Sequence, residues 1–348
     1  MILYNLYKIK FENLIKQYIK CNYPNEIEDK IQYMITGGKY LRGILGLIFG
    51  FIDLERKEDK SNEYIENEEI IINNAILIEL IHNISLVLDD TPIMDNDIIR
   101  RNKESFFKKY GYQYTLFYFY YMMNKIIILS GKNILDIKFN SNNIHLIINN
   151  YTNCMTNLLQ GQITDINYNN ENNINNINTY DNNILNSNLI TENIIEELIN
   201  DLFNIKILEH NINSIKNNII LNINKTGILF LLPIYSSIIL IINYKKLDCN
   251  TKEVKNLLDK IIIWSLKLGI VFQYSDDLLD IEQDKINNKP NIANIISSLE
   301  VKNLIKDKII ELRKESFSIC DICCKLFDKN INIFLINDIL EKINNRIK

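Results

Sequence analysis

The sequence is poor in the residues that interrupt regular structure. Ten glycines and four prolines are spread over 348 residues, too few to punctuate a series of short strands, and no hairpin signal stands out. Cysteine is scarce as well. Six residues, at 21, 154, 249, 320, 323 and 324, are too few and too unevenly spaced for a disulfide framework in a chain of this length, so a reducing compartment is expected. The run CDICC, Cys320 to Cys324, has no second cysteine pair at zinc-finger spacing, and the three histidines lie far from it. Small core residues are the better reading. Nor is there an excess of one charge. The 43 acidic and 39 basic side chains leave a formal charge of −4, which gives no electrostatic reason to expect nucleic acid.

Long apolar runs are missing too. The longest, GILFLLPIYSSIILII from Gly227 to Ile242, carries Pro233, Ser236 and Ser237 and falls short of the ~20 residues of a membrane span. A buried core helix is expected, and no membrane anchor. The first residues, MILYNLYKIKFENLIKQYIK, contain Glu12 and lack an apolar core followed by a small-residue cleavage site, so they read as an amphipathic helix of the fold. Only 36 residues precede Gly37, about one leading helix, which leaves the cytoplasm, or a plastid or other organelle with any leader absent, as the expected compartment.

What is present is helical pattern. With 47% hydrophobic residues the chain can bury a substantial core. Asn74 to Asp89, Thr251 to Asp280 and Val301 to Phe327 place apolar residues at three- and four-residue intervals, which predicts an all-α bundle. Ile, Asn and Lys are over-used throughout, so residue preference is a weaker guide than pattern. The tract at about 167–190 (NYNNENNINNINTYDNNILNSN from Asn167 to Asn188) is dominated by asparagine and reads as an inserted loop within a single domain spanning 1–348, because helical pattern continues on both sides.

Two acidic clusters carry chemical promise. LVLDDTPIMDNDIIRR, Leu86 to Arg101, sets Asp89, Asp90, Asp95 and Asp97 beside Arg100 and Arg101, where like charges repel unless something offsets them. FQYSDDLLD, Phe272 to Asp280, places Asp276 and Asp280 at i and i+4, on one helix face, with Asp277 between them. Oxygen ligands without histidine or thiolate favour magnesium, which commonly takes a few carboxylates plus substrate phosphates. Basic partners are also present. TGGKYLRG sets Lys39 and Arg42 three apart, which points both tips one way if a helix begins there. His82 lies two helical turns before Asp89.

Lys39 and Arg42, His82, DDTPIMD with Arg100 and Arg101, GQITD at Gly161 to Asp165, KTG at Lys225 to Gly227, and FQYSDDLLD occur in one order. In that order and near that spacing the chain resembles the trans-isoprenyl diphosphate synthases, over roughly Gly37 to Pro290. The resemblance implies an all-α bundle around a deep central cavity, usually a homodimer. It implies about three magnesium ions per active site on an allylic diphosphate, held by Asp89 and Asp95 with Asp90 supporting, and by Asp276, Asp277 and Asp280. Arg100, Lys225 and Lys289 would add positive charge there. Lys39, Arg42, His82 and Arg101 would hold isopentenyl diphosphate, while Thr226 and Gln273 would face the reacting carbon, with Gln162 near the allylic site.

In such enzymes the product is limited by an apolar well beneath the first cluster, floored in short-chain relatives by an aromatic residue four or five positions before the first aspartate. Here those positions are Ser85 and Ile84, which implies geranylgeranyl diphosphate or a longer polyprenyl diphosphate. Several residues depart from the family's pattern. TLFYFYYMMNK brings Phe119 and Tyr120 where small residues are common, Asn102 replaces a glycine, Asn294 and Ser298 replace an aspartate and a lysine, and the 60 residues from Asp165 to Lys225 exceed the usual span. A non-catalytic regulatory subunit of a prenyltransferase heteromer is the alternative, disfavoured because both acidic clusters and the basic partners are retained.

Overall fold

A computed structural model describes residues 2–55, 62–135, 141–170, 190–203, 205–286 and 289–347. The asparagine-rich tract, beyond the end of one helix at Asn170, lies outside the described residues up to position 189. The fold is all-α, as the periodicity predicts. Contacts divide it into two compact units, residues 2–152 with 236–247, and residues 153–235 with 248–348.

In the first unit α1 (Ile2–Asn22) buries Tyr4, Tyr7, Phe11, Ile15, Tyr18 and Ile19, the three- and four-residue stripe of an amphipathic helix. Next come α2 (Asn25–Ile35), α3 (Leu41–Phe49) and α4 (Asn62–Asp89). α4 is the central element and packs on α3 and on α6 (Tyr112–Leu135). Leu77, Ile78, Leu80, Ile81 and Ile84 are fully buried on it, so it is apolar nearly all round. One long polar tether is Asn74, which donates to Ser236 Oγ at 2.8 Å and accepts the Tyr151 hydroxyl at 2.5 Å. That pairing satisfies an amide that would otherwise be costly to bury.

The expectation of no hairpin fails at one place. β1 (Ile99–Arg100) and β2 (Lys103–Glu104) pair antiparallel across Arg101 and Asn102, whose φ values are 54° and 61°. Two consecutive left-handed residues make a type I′ turn. Asparagine tolerates that conformation, so Asn102 meets the backbone demand that a glycine would otherwise meet. A short α5 (Phe106–Tyr110) leads into α6.

The second unit continues α7 (Ser141–Asn170) with α8 (Glu192–Leu202), α9 (Ile205–Asn222), a π-helical turn (Ile223–Gly227), α10 (Ile228–Tyr244) and α11 (Lys252–Asp277). After α12 (Ile281–Ile286) and a 3₁₀ turn (Ile292–Asn294), α13 (Ser298–Phe327) and α14 (Ile333–Asn344) complete it. α11 is the core of this unit and packs on α13, where Trp264 donates its indole N–H to the Leu312 carbonyl at 3.0 Å. Lys267 is buried on α11 between Asp201 and Glu315, 2.6 Å from each, which keeps its charge paired. α13 opens with a capping box: the Ser297 N–H donates to Glu300 Oε2 at 2.9 Å, and the Glu300 N–H donates to Ser297 Oγ at 3.3 Å. Cys323 is buried on α13, with Cys320 half-buried and Cys324 exposed.

Among the described residues, two helical stretches are long and apolar enough to cross a membrane by length and composition, Glu68–Asp89 and Asn211–Tyr244. The most apolar windows of the two are 72% and 94% buried inside the protein, the pattern of core helices. The Gly227–Ile242 run belongs to the second of these and is longer in helix than in unbroken sequence.

Candidate functional site

The first acidic cluster is built by the end of α4. Helix N–H to carbonyl bonding stops there, and the chain folds back so that Asp95 N–H donates to the Asp89 carbonyl at 2.9 Å, while Met94 and Asn96 donate to Thr91 O at 2.9 and 3.0 Å. Asp89 and Asp95 are thereby brought side by side, both half-buried. Asp90 turns the other way and is buried. It accepts Arg100 Nε at 2.8 Å and is bonded by Arg100 Nη2 as well, and that guanidinium also reaches Asp97 Oδ2 at 3.1 Å. Burial pushes the Asp90 carboxyl up while the Arg100 hydrogen bond opposes it. The four carboxylates thus divide into Asp90 and Asp97, both bonded by Arg100, and Asp89 and Asp95, set side by side by the backbone.

The basic residues gather against the same helix. α3 begins only at Leu41, because Tyr40 adopts a left-handed conformation with φ 54° and ψ 29°. Lys39 therefore precedes the helix and is exposed, whereas Arg42 sits in the first turn at 7% exposure. The expectation that one helix aims both tips alike is corrected on this point. Arg101 Nη1 donates to the carbonyls of Met34 and Ile35, both at 3.1 Å. Burial holds His82 well below the usual imidazole range, and Arg42, Arg101, Arg100 and Lys39 push it the same way. The field of those four cations favours a neutral imidazole, whose Nδ1 is buried without a hydrogen-bond partner. A crevice of about 20 Å³ opens beside Asp90, Arg100, Arg101 and Lys103, large enough for a water.

Glu79, which the motif reading passed over, lies one turn before His82 and is 2% exposed. Its Oε1 accepts the Gly43 N–H at 2.9 Å. Burial raises its carboxyl against the opposing pull of Arg42, Arg101 and the Gly43 and Arg42 amides. Its signal in the sequence is an acid inside AILIELI, where a solvated face is not available.

In the second unit, glycines set the site. A Cβ on Gly269 would lie 2.6 Å from Gly227 Cα and 3.1 Å from its nitrogen, so α11 and the π turn touch backbone to backbone. A Cβ on Gly161 would lie 2.9 Å from Lys225 Cγ, so the glycine of GQITD makes room for the lysine of KTG. The close approach places Thr226 Oγ1 to donate to Gln273 Oε1 at 2.8 Å, and Gln273 Nε2 donates to Asp277 Oδ1 at 2.9 Å. Gln162 is buried, and Lys225 and Lys289 are half-buried.

Asp277, for which the resemblance implies a ligand role, is engaged by the protein itself. At 4% exposure it faces the core, with Oδ2 accepting the Ile292 N–H at 3.0 Å. Burial pushes it up to about 7, against the Gln273 and Ile292 hydrogen bonds. It serves as a rivet between α11 and the 3₁₀ turn that contains Asn294. Asp276 and Asp280, one turn apart, remain on the outer side. Arg346, beyond α14, is bonded to Asp276 Oδ1, donates to Ser275 Oγ at 3.3 Å and lies 4.8 Å from the centre of the Phe272 ring.

Of the chain-length positions, Ile84, Ser85 and Phe119 are buried, with the Ser85 hydroxyl donating to His82 O at 2.8 Å. Tyr120 is 63% exposed and lies on the outer side of α6, so within its unit it lines no interior space. Among the described residues no three acidic, histidine or cysteine side chains converge as a ready-made metal cage. Carboxylates in pairs, Asp89 with Asp95 and Asp276 with Asp280, suit magnesium, which keeps waters and takes phosphate oxygens to complete its octahedron.

Residues 24–187 match the polyprenyl synthetase family. The chain is 26% identical to the farnesyl diphosphate synthase of Buchnera aphidicola subsp. Schizaphis graminum, over 97% of this chain and 98% of that one. Among solved structures, a geranyltranstransferase from Thermotoga maritima superposes with a TM-score of 0.64 at 19% identity, over 99% of this chain and 98% of that one. A geranyltransferase from Helicobacter pylori, complexed with magnesium and isoprenyl diphosphate, gives a TM-score of 0.63 at 18% identity, over 99% and 96% of the respective chains.

Proposed function

We propose that the chain is a trans-isoprenyl diphosphate synthase, a magnesium-dependent prenyltransferase joining isopentenyl diphosphate to an allylic diphosphate, a reading supported by the polyprenyl synthetase match over residues 24–187 and the likeness to a farnesyl diphosphate synthase along nearly the whole chain. The observation that carries this reading is the crevice where Arg100 and Arg101 meet Asp90, beside the helix that carries His82 and ends in the Asp89 and Asp95 pair. A cationic pocket for one diphosphate and a carboxylate pair for a phosphate-bound metal then share one element.

In this reading Lys39, Arg42, His82 and Arg101 hold the diphosphate of isopentenyl diphosphate. Asp89, Asp95, Asp276 and Asp280 are the metal-holding carboxylates, and Arg100, Lys225 and Lys289 add charge on the allylic diphosphate. Magnesium, when bound, supplies the positive charge that lets the allylic diphosphate depart. Thr226 and Gln273 offer dipoles without a strong nucleophile, which suits a carbon that becomes cationic and must not be trapped. Gln273 is held in one orientation by Thr226 and Asp277.

The missing aromatic floor at Ile84 and Ser85 supports a twenty-carbon or longer product, although the Buchnera relative is named for a fifteen-carbon one. A homodimer belongs to the same reading, supported by Phe117, Tyr120 and Ile128, which are 78%, 63% and 63% exposed along α6. The test is to supply magnesium, labelled isopentenyl diphosphate and, separately, dimethylallyl, geranyl and farnesyl diphosphates, and to resolve products by chain length. Products ending at twenty carbons, abolished in Asp89→Ala, are expected. Products ending at fifteen would overturn the chain-length reading. No product with any primer, from folded protein, would overturn catalysis and point to a regulatory subunit.

A further inference from the structure

The GGKYLRG turn presents a structural problem that its own residues do not solve. A helix leaves its first N–H groups without intrahelical partners, and the residue ahead of the helix normally supplies a side-chain oxygen to one of them. In α3 that residue is Tyr40, which is left-handed and makes no side-chain cap. The N–H of Gly43, third in the helix, is instead taken by Glu79 Oε1 at 2.9 Å, and the Arg42 amide adds to the hold on the same carboxylate. The cap comes from the next helix.

The contact is also close. A Cβ on Gly43 would meet Glu79 Cγ at 2.9 Å and Phe11 Cε1 at 2.3 Å, so glycine at 43 lets the α3 backbone seat against α4. On α4, Glu79 and His82 are three residues apart and therefore share a face. One carboxylate thus fixes the first turn of α3, which carries Arg42 and follows Lys39, at a set distance from His82.

We propose that Glu79 is a positioning residue for isopentenyl diphosphate: by capping α3 from α4 it fixes Lys39 and Arg42 relative to His82, without itself touching substrate. The proposal rests on the assignment of that pocket to isopentenyl diphosphate. The allylic diphosphate is assigned to other side chains, so the effect of disturbing the cap falls on one substrate and not on the other.

Two substitutions separate reach from charge. Glu79→Gln keeps an acceptor oxygen at the same length and loses the charge. Glu79→Asp keeps the charge and withdraws the acceptor by one methylene. With full-length protein and magnesium, Glu79→Asp is expected to raise KM for isopentenyl diphosphate about tenfold, the size of a lost cap, with KM for geranyl diphosphate unchanged within about twofold. Glu79→Gln is expected to remain close to wild type. The reverse order, or equal rises in both KM values, would overturn the proposal.

Calorimetric titration of isopentenyl diphosphate into wild type and both variants reads the same contrast without turnover. If wild type binds isopentenyl diphosphate yet makes no product, the prenyltransferase reading fails while weaker binding in Glu79→Asp alone still supports the cap. Equal binding by all three proteins would overturn it.

Discussion

His82 shows how a single residue reports its surroundings. Its folded-state pKa is depressed, by burial first and then by Arg42, Arg101, Arg100 and Lys39. Below about 6.5 the unfolded chain takes up a proton there that the folded protein refuses, so stability falls as pH drops through that value. Burial raises Glu79, Asp90 and Asp277, groups that act in the opposite sense, so the effect is read as a difference. Between pH 7.5 and 5.5, wild type should lose more melting temperature than His82→Gln, and equal losses would contradict the burial of a neutral imidazole. The same residues show what a sequence discloses. Lys39, Arg42 and His82 were singled out because their types and order resemble a family's pattern. The burial of Asp277 was not read from the sequence, although one helical step already turns it about 100° away from Asp276. Glu79 was passed over because its partner is a backbone N–H, and no residue type advertises that.

At the level of elements, α4, α11 and α13 were visible in their apolar spacing, and Thr251 falls at the N-cap of α11. The hairpin at Ile99–Glu104 was not, because two-residue strands carry no alternation and Arg-Asn is not a customary turn pair. The π turn was equally hidden: its residues, Ile223 to Gly227, are ordinary helix material, and the widened turn is visible only where α11 comes against it. Gly269 tests that packing. Gly269→Ala would place a methyl against Gly227 backbone, where no flexible side chain can yield, and overpacking of this kind costs about 1–3 kcal/mol. Urea unfolding should show a loss of that order, with activity reduced further because Thr226 no longer meets Gln273. A stability equal to wild type would show that the crossing has slack.

For the molecule as a whole, helix content was legible and the division into units was not. Two of the three unit boundaries, 152/153 and 235/236, fall inside α7 and α10, where continuous helix offers no linker composition to read, and the third, 247/248, falls in the short turn between α10 and α11. The asparagine-rich tract, which attracts the eye as a break, is not one of those boundaries. The last residues also escaped notice: Arg346 sits on Asp276, one of the carboxylates assigned to metal. A guanidinium and a divalent cation compete for the same charge. Arg346→Ala should therefore tighten manganese binding severalfold, measured by electron paramagnetic resonance on full-length protein without substrate, whereas unchanged or weaker binding would show that Arg346 supports the carboxylate instead.

The widened turn at Ile223–Gly227 has a consequence for inheritance. A π turn holds one residue more than the α turn it replaces, so a gene losing the single codon for Asn224 would encode a more regular helix. Every residue before the deletion would then swing about 100° relative to those after it. Gly227 and Gly269 could keep their crossing only if Lys225 and Thr226 kept theirs, and a lost codon cannot preserve both α9 and that pair. In-frame deletions should therefore be tolerated worst where the helix looks most in need of one.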